Sequence, residues 1–125
     1  MENIKYFHNE VILTGRLTRK PETRELNSGK RINNFTLATP LRHITANSWD
    51  TGYFAVVAWD QLAGDMSLYF DQGDKITVKG RLNFRKYKDK DGNSRSITEI
   101  IANEVYIDTL KNPPEFEEEN KRKEE

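Results

Sequence analysis

The chain has 125 residues, enough for one domain with a single small core, and Leu, Ile, Val and Phe supply 29 of them. Net charge is zero and cysteine is absent, which excludes disulfide scaffolds, cysteine zinc sites, iron–sulfur clusters and thiol catalysis. With only His8 and His43, no metal site and no cofactor is expected. Residues 1–8 contain no apolar h-region, and no apolar run approaches the roughly 18 residues of a membrane span. The expectation is a soluble cytoplasmic protein with no membrane partner.

Most of the chain reads with period two. Residues 9–19 alternate Val11, Leu13, Gly15 and Leu17 against Ile12, Thr14 and Arg16, a strand that a glycine allows to bend. Turn chemistry at residues 26–30 precedes a second strand over residues 31–39, with Phe35 and Leu37 on one face. Residues 40–52 read as a polar loop, and residues 53–59 as a short apolar strand. Asp60 is placed to cap a helix reaching about Phe70, with Leu62, Met66 and Tyr69 or Phe70 as its buried stripe.

The next strand, residues 75–87, is the clearest. Ile76, Val78, Gly80, Leu82 and Phe84 share one face, opposite Lys79, Arg81, Arg85 and Tyr87. Residues 88–93 form a hairpin turn, and a long last strand runs over residues 94–110. Pro113 and Pro114 then stop regular structure. The order β-β-β-α-β-β suits an all-β, five-stranded Greek-key barrel, the OB-fold, over residues 1–110, with a short charged disordered tail over residues 111–125.

The zero net charge conceals a pattern. Residues 15–31 carry +4 and residues 79–95 carry +5, whereas residues 53–74 carry −4 and residues 111–125 carry −2. Two basic segments on a neutral body point to a polyanion-binding face, with ordinary solubilising charge as the plain alternative. Aromatics interleave with these cations: Tyr87 shares a strand face with Arg81 and Arg85, and Tyr53 and Trp59 share parity on their own strand. Such rings stack on nucleobases while the cations neutralise phosphates. Trp59 also sits where strand becomes helix, so a core position is its competing reading. The run Asp89-Lys90-Asp91-Gly92 has its glycine two places early for a calcium loop and Ile100 at the twelfth position, so it reads as a turn. No phosphate-cradling glycine motif and no nucleophile–base spacing occurs, and no enzymatic activity is expected.

The segment Asn9-Glu10-Val11-Ile12-Leu13-Thr14-Gly15-Arg16-Leu17, followed by Pro21-Glu22-Thr23-Arg24, resembles the opening of the bacterial single-stranded DNA-binding protein family. The likeness continues in order through Asn34-Phe35-Thr36-Leu37-Ala38-Thr39, Val56-Val57-Ala58-Trp59, Gly80-Arg81-Leu82 and Arg85-Lys86-Tyr87, over about residues 8–110. The resemblance implies sequence-independent binding of single-stranded DNA in replication, recombination and repair, by a nucleoid-associated homotetramer, with a dimer as the lesser option. It maps base stacking to Tyr53, Trp59 and Tyr87, and a fourth stacking position to His43, with Trp49 in the same loop as a substitute. Arg16, Arg31, Lys79, Arg81, Arg85 and Lys86 are the expected phosphate contacts. Typical members end in an acidic tip closing on Pro-Phe, whereas here Phe116 is embedded between Glu115 and Glu117. Recruitment of proteins through the tail is therefore not expected, and a phage, plasmid or specialised paralogue fits. A primosome- or RNA-type OB-fold binder and an OB-fold interaction adaptor are the alternative readings.

Overall fold

Among the described residues, alternation of apolar and polar residues underlies five of six strands, and one helix interrupts it. In the computed structural model, which describes residues 7–43 and 48–109, these are β1 (Val11–Leu17), β2 (Thr23–Glu25), β3 (Arg31–Arg42), β4 (Trp49–Trp59), α1 (Asp60–Tyr69), β5 (Lys75–Lys88) and β6 (Ser94–Thr109). Hydrogen-bonded order runs β1, β5, β6, β4, β3, β2, and β1 also pairs with β3 at Arg16↔Ala38 and Leu17↔Leu37. That second pairing closes a five-stranded barrel, the expected OB-fold. Closure is tight at Gly15, where a Cβ would lie 2.5 Å from Thr39 Oγ1 and 2.8 Å from the Ala38 carbonyl oxygen. Only glycine fits that crossing. The tail expected over residues 111–125 lies outside the described residues.

The barrel interior takes alternate residues from β1, β3, β4, β5 and β6. Leu17, Leu37, Val56, Ile76, Val78 and Ile100 are buried there, and α1 plugs one end with Ala63 and Met66, followed by Phe70 just past its C-terminus. Of the expected helical stripe, Met66 and Phe70 are buried, whereas Tyr69 faces outward.

Two expectations are corrected, and one strand is added. First, residues 40–52 are largely strand: β3 continues to Arg42 and β4 begins at Trp49, pairing Arg42↔Trp49. Pro40 is tolerated there because β3 has passed β1, so its missing N–H faces an edge with no ladder. Second, Asp60 does not cap α1. Trp59 holds the N-cap position without a side-chain cap bond. Asp60 adopts φ +52°, and its Oδ1 accepts a hydrogen bond from the Arg31 N–H at 3.3 Å. The added strand, three-residue β2, has no readable periodicity. It is secured by polar groups: buried Asn33 donates from Nδ2 to Thr23 Oγ1 at 3.1 Å and to the Ala63 carbonyl at 3.2 Å, and Thr23 Oγ1 bonds Ser67 Oγ at 2.9 Å. These bonds tie β2 and β3 to α1.

Strands β5 and β6 leave the barrel as a two-stranded arm. A register shift between Lys79 and Gly80 marks the departure. Beyond it Leu82 and Phe84 keep their inward parity but stay exposed, because the barrel no longer covers them. At the arm's tip Asp89 organises the turn, its Oδ1 accepting from the Asp91 N–H at 3.0 Å and the Asn93 N–H at 2.9 Å.

Candidate nucleic-acid interface

The outer faces of β5, β6, β4, β3 and β2 lie side by side, so residues far apart in sequence meet in one open cleft of about 500 Å³. Its walls carry Arg24 from β2, Trp59 from β4, and Arg81 and Arg85 from β5. Ile32, Val57 and Ile101 provide an apolar base, where Ile32 stands in register with Trp59 and Val57 with Ile101. Trp59 keeps 37% of its surface exposed, so it is cleft wall and not core. A second groove of about 400 Å³ shares Arg24 and Asn34 with the cleft and adds Arg19 and Lys20. The two grooves thus adjoin, and Arg19, Lys20, Arg24, Arg81 and Arg85 outnumber Glu22 and Glu99 along them.

Alternation on β5 places Arg81, Asn83, Arg85 and Tyr87 on this outer face. Arg81 Nη1 donates to Asn103 Oδ1 at 3.2 Å. Arg85 Nε donates to Glu99 Oε1 at 2.9 Å, and its Cζ lies 5.4 Å from the centroid of the Tyr87 ring. Glu99 is buried beneath the arm, 5% exposed.

Tyr53 is 68% exposed and opens on an adjoining apolar groove with Val11, Leu13 and Leu82, a groove that also touches Glu99. His43 and Trp49 lie further out, at the end of the β3–β4 hairpin. There His43 Nε2 sits 2.6 Å from Asp50 Oδ2, and Trp49 is exposed.

The expected phosphate contacts divide. Arg81 and Arg85 line the cleft, and Lys86 is exposed on the opposite face of the arm. Arg31 lies against Gly64 of α1. Lys79 approaches Glu10 at 3.7 Å. Arg16 donates from Nη1 to the Gly73 carbonyl at 2.9 Å and lines a separate groove with Lys75 and Pro40. Sequence reasoning missed Arg24, Asn34, Asn83 and Glu99. Arg24 lay within a flagged basic segment, but only strand order brings it opposite Arg81.

The sequence that builds this cleft matches a known family. The model of the Single-strand binding protein family matches residues 8–108. The chain belongs to that family. Single-stranded DNA-binding protein 2 of Clostridium acetobutylicum is 37% identical over 98 residues, covering 78% of this chain and 74% of that protein. Single-stranded DNA-binding protein 1 of the same organism is 33% identical over 106 residues, covering 82% of this chain and 96% of that protein. Single-stranded DNA-binding protein 1 of Staphylococcus aureus is 33% identical over 105 residues, covering 83% and 67%. The family match spans every residue that lines the cleft.

Proposed function

We propose that this protein binds single-stranded DNA without sequence preference and protects it during replication, recombination and repair in the cytoplasm. The observation that carries the reading is the cleft in which Trp59 stands among Arg24, Arg81 and Arg85 over an apolar base. Every base has a π-face, so stacking on Trp59, Tyr87 and Tyr53 tolerates any sequence, while cations along the walls follow the phosphates. His43 and Trp49 extend the stacking surface at the hairpin end, and Arg19 and Lys20 extend the cationic one.

The same reading includes assembly as a homo-oligomer, with a tetramer ahead of a dimer. It is supported by β1, whose pairing with β3 is confined to Arg16 and Leu17, so Val11 to Leu13 have no second strand among the described residues. Exposed Ile12, Leu82 and Phe84 favour covering by another copy.

Titration with oligo(dT), followed by tryptophan fluorescence and by filter retention, tests the function. Quenching on binding is expected. Neither quenching nor retention at low salt would overturn it. Light scattering on the free protein tests the assembly, with a monomer mass as the contrary result.

A further inference from the structure

We propose that Glu99 is a positioning residue for DNA binding. Its buried carboxylate holds the Arg85 guanidinium against one face of the Tyr87 ring, leaving the other face as the stacking surface for a base. The inference rests on the reading that this cleft binds single-stranded DNA. It gives Arg85 a role other than a phosphate contact.

Three observations carry it. The Glu99 side chain is 5% exposed while that of Arg85 is 50% exposed, and the two meet at 2.9 Å through Nε. Asn83, directly opposite Glu99 in the β5–β6 register, donates to the same oxygen at 3.4 Å. The Arg85 Cζ then stands 5.4 Å from the Tyr87 centroid, inside the range of about 6 Å for a cation over a ring.

A carboxylate under a sheet face is costly unless paired, so Glu99 anchors its partner strongly. An Nε hydrogen bond also fixes the direction of the guanidinium plane, which a lysine ammonium cannot reproduce. The chain of contact is therefore directional: the buried group fixes Arg85, and Arg85 restrains an otherwise exposed ring. A base arriving at Tyr87 meets a side chain already ordered, with less rotamer entropy to lose on binding. Because Glu99 balances its charge, Arg85 adds little to counterion release.

The test measures oligo(dT) affinity across a salt series for the full chain and for Arg85→Lys, Tyr87→Ala, the Arg85→Lys/Tyr87→Ala double variant and Glu99→Gln. Arg85→Lys should weaken binding about two- to five-fold, the size of an exposed cation–π contact, with an unchanged salt slope. In the Tyr87→Ala background the same change should cost nothing further. Glu99→Gln should steepen the salt slope by up to about 0.7, because it releases the Arg85 charge to meet a phosphate, and should weaken binding at high salt. A purely structural role for Glu99 would lower affinity equally at every salt concentration.

Full affinity in Arg85→Lys would mean a phosphate contact that lysine replaces, and would overturn the proposal. So would an equal loss from Arg85→Lys with and without Tyr87. That cycle leaves the buried carboxylate in place, so it stands even if Glu99→Gln fails to fold. An unmodified chain that does not bind oligo(dT) defeats the functional reading and this inference together, whereas binding with additive losses defeats the inference alone.

Discussion

The side-chain amide of Asn9 pairs with the backbone of Leu82 in both directions: the Leu82 N–H donates to Oδ1 at 2.8 Å, and Nδ2 donates to the Leu82 carbonyl at 2.9 Å. A carboxamide thus does the work of one more strand residue where β1 begins and β5 starts out along the arm. Since that arm carries Arg85 and Tyr87, its base sets how well both are aimed.

Asn9→Ala should cost about 1 kcal/mol of stability, the net worth of surface hydrogen bonds of this kind. Faster hydrogen exchange at the Leu82 amide is the local check. An unchanged Leu82 amide would show that the ladder with β6 alone holds this part of the arm.

Trp59→Ala and Tyr87→Ala should each lose about 1–3 kcal/mol of oligo(dT) binding with the β-rich circular dichroism unchanged. Trp49 and Trp59 are the two tryptophans. Quenching that survives Trp49→Phe and vanishes in Trp59→Phe would assign the stacked ring. The reverse pattern would move the contact to the hairpin end.

Asp60 occupies left-handed backbone at φ +52° immediately after Trp59. An ordinary L-residue there is strained by about 1–2 kcal/mol, whereas glycine is not. Asp60→Gly loses the long bond to the Arg31 N–H and the carboxylate in the first turn of α1 but relieves the strain, so it should be about as stable as the parent. Asp60→Ala loses that bond and keeps the strain, so it should be less stable by about 1 kcal/mol or more. Urea midpoints for the three proteins give the order, and alanine equal to glycine would refute the strain.

The barrel was legible in the sequence because its strands alternate cleanly and its helix interrupts that period once. What escaped were features without periodicity. Three-residue β2 depends on Thr23 and Asn33 reaching Ala63, contacts no local pattern encodes. The Asp60 side chain resembled a cap because composition shows the residue type and not its φ. At the candidate site, Trp59, Arg81 and Arg85 were readable from parity on their strands. Arg24 and Glu99 were not, since they join the cleft only through the order β5-β6-β4-β3-β2.

Acid should loosen the arm's tip. The hydrogen bond from Arg95, reinforced by the Asn93 N–H, holds the Asp89 carboxyl below its ordinary value of 3.8. A depressed folded pKa means that its contribution is complete above the ordinary value and is lost as pH falls through the lower folded one. The Asp91 and Asn93 amide resonances should therefore shift together below pH 3.8, and Asp89→Asn should abolish that titration. Amide shifts that follow the ordinary carboxylate value would remove Arg95 from the account.

The arginines should separate by position when binding is measured against salt. For single strands, log K falls by about 0.7 per decade of salt for each phosphate neutralised. Arg24 and Arg81 face each other across the cleft, so alanine at either should flatten the slope by about that amount. Arg16 belongs to the same basic segment as Arg24, but its guanidinium is engaged with the Gly73 carbonyl and faces a different groove. Arg16→Ala should leave the slope unchanged and act on stability instead, by about 1 kcal/mol for one surface hydrogen bond. Equal flattening by all three substitutions would mean that DNA wraps beyond the cleft, and that total charge, not position on the sheet, governs binding.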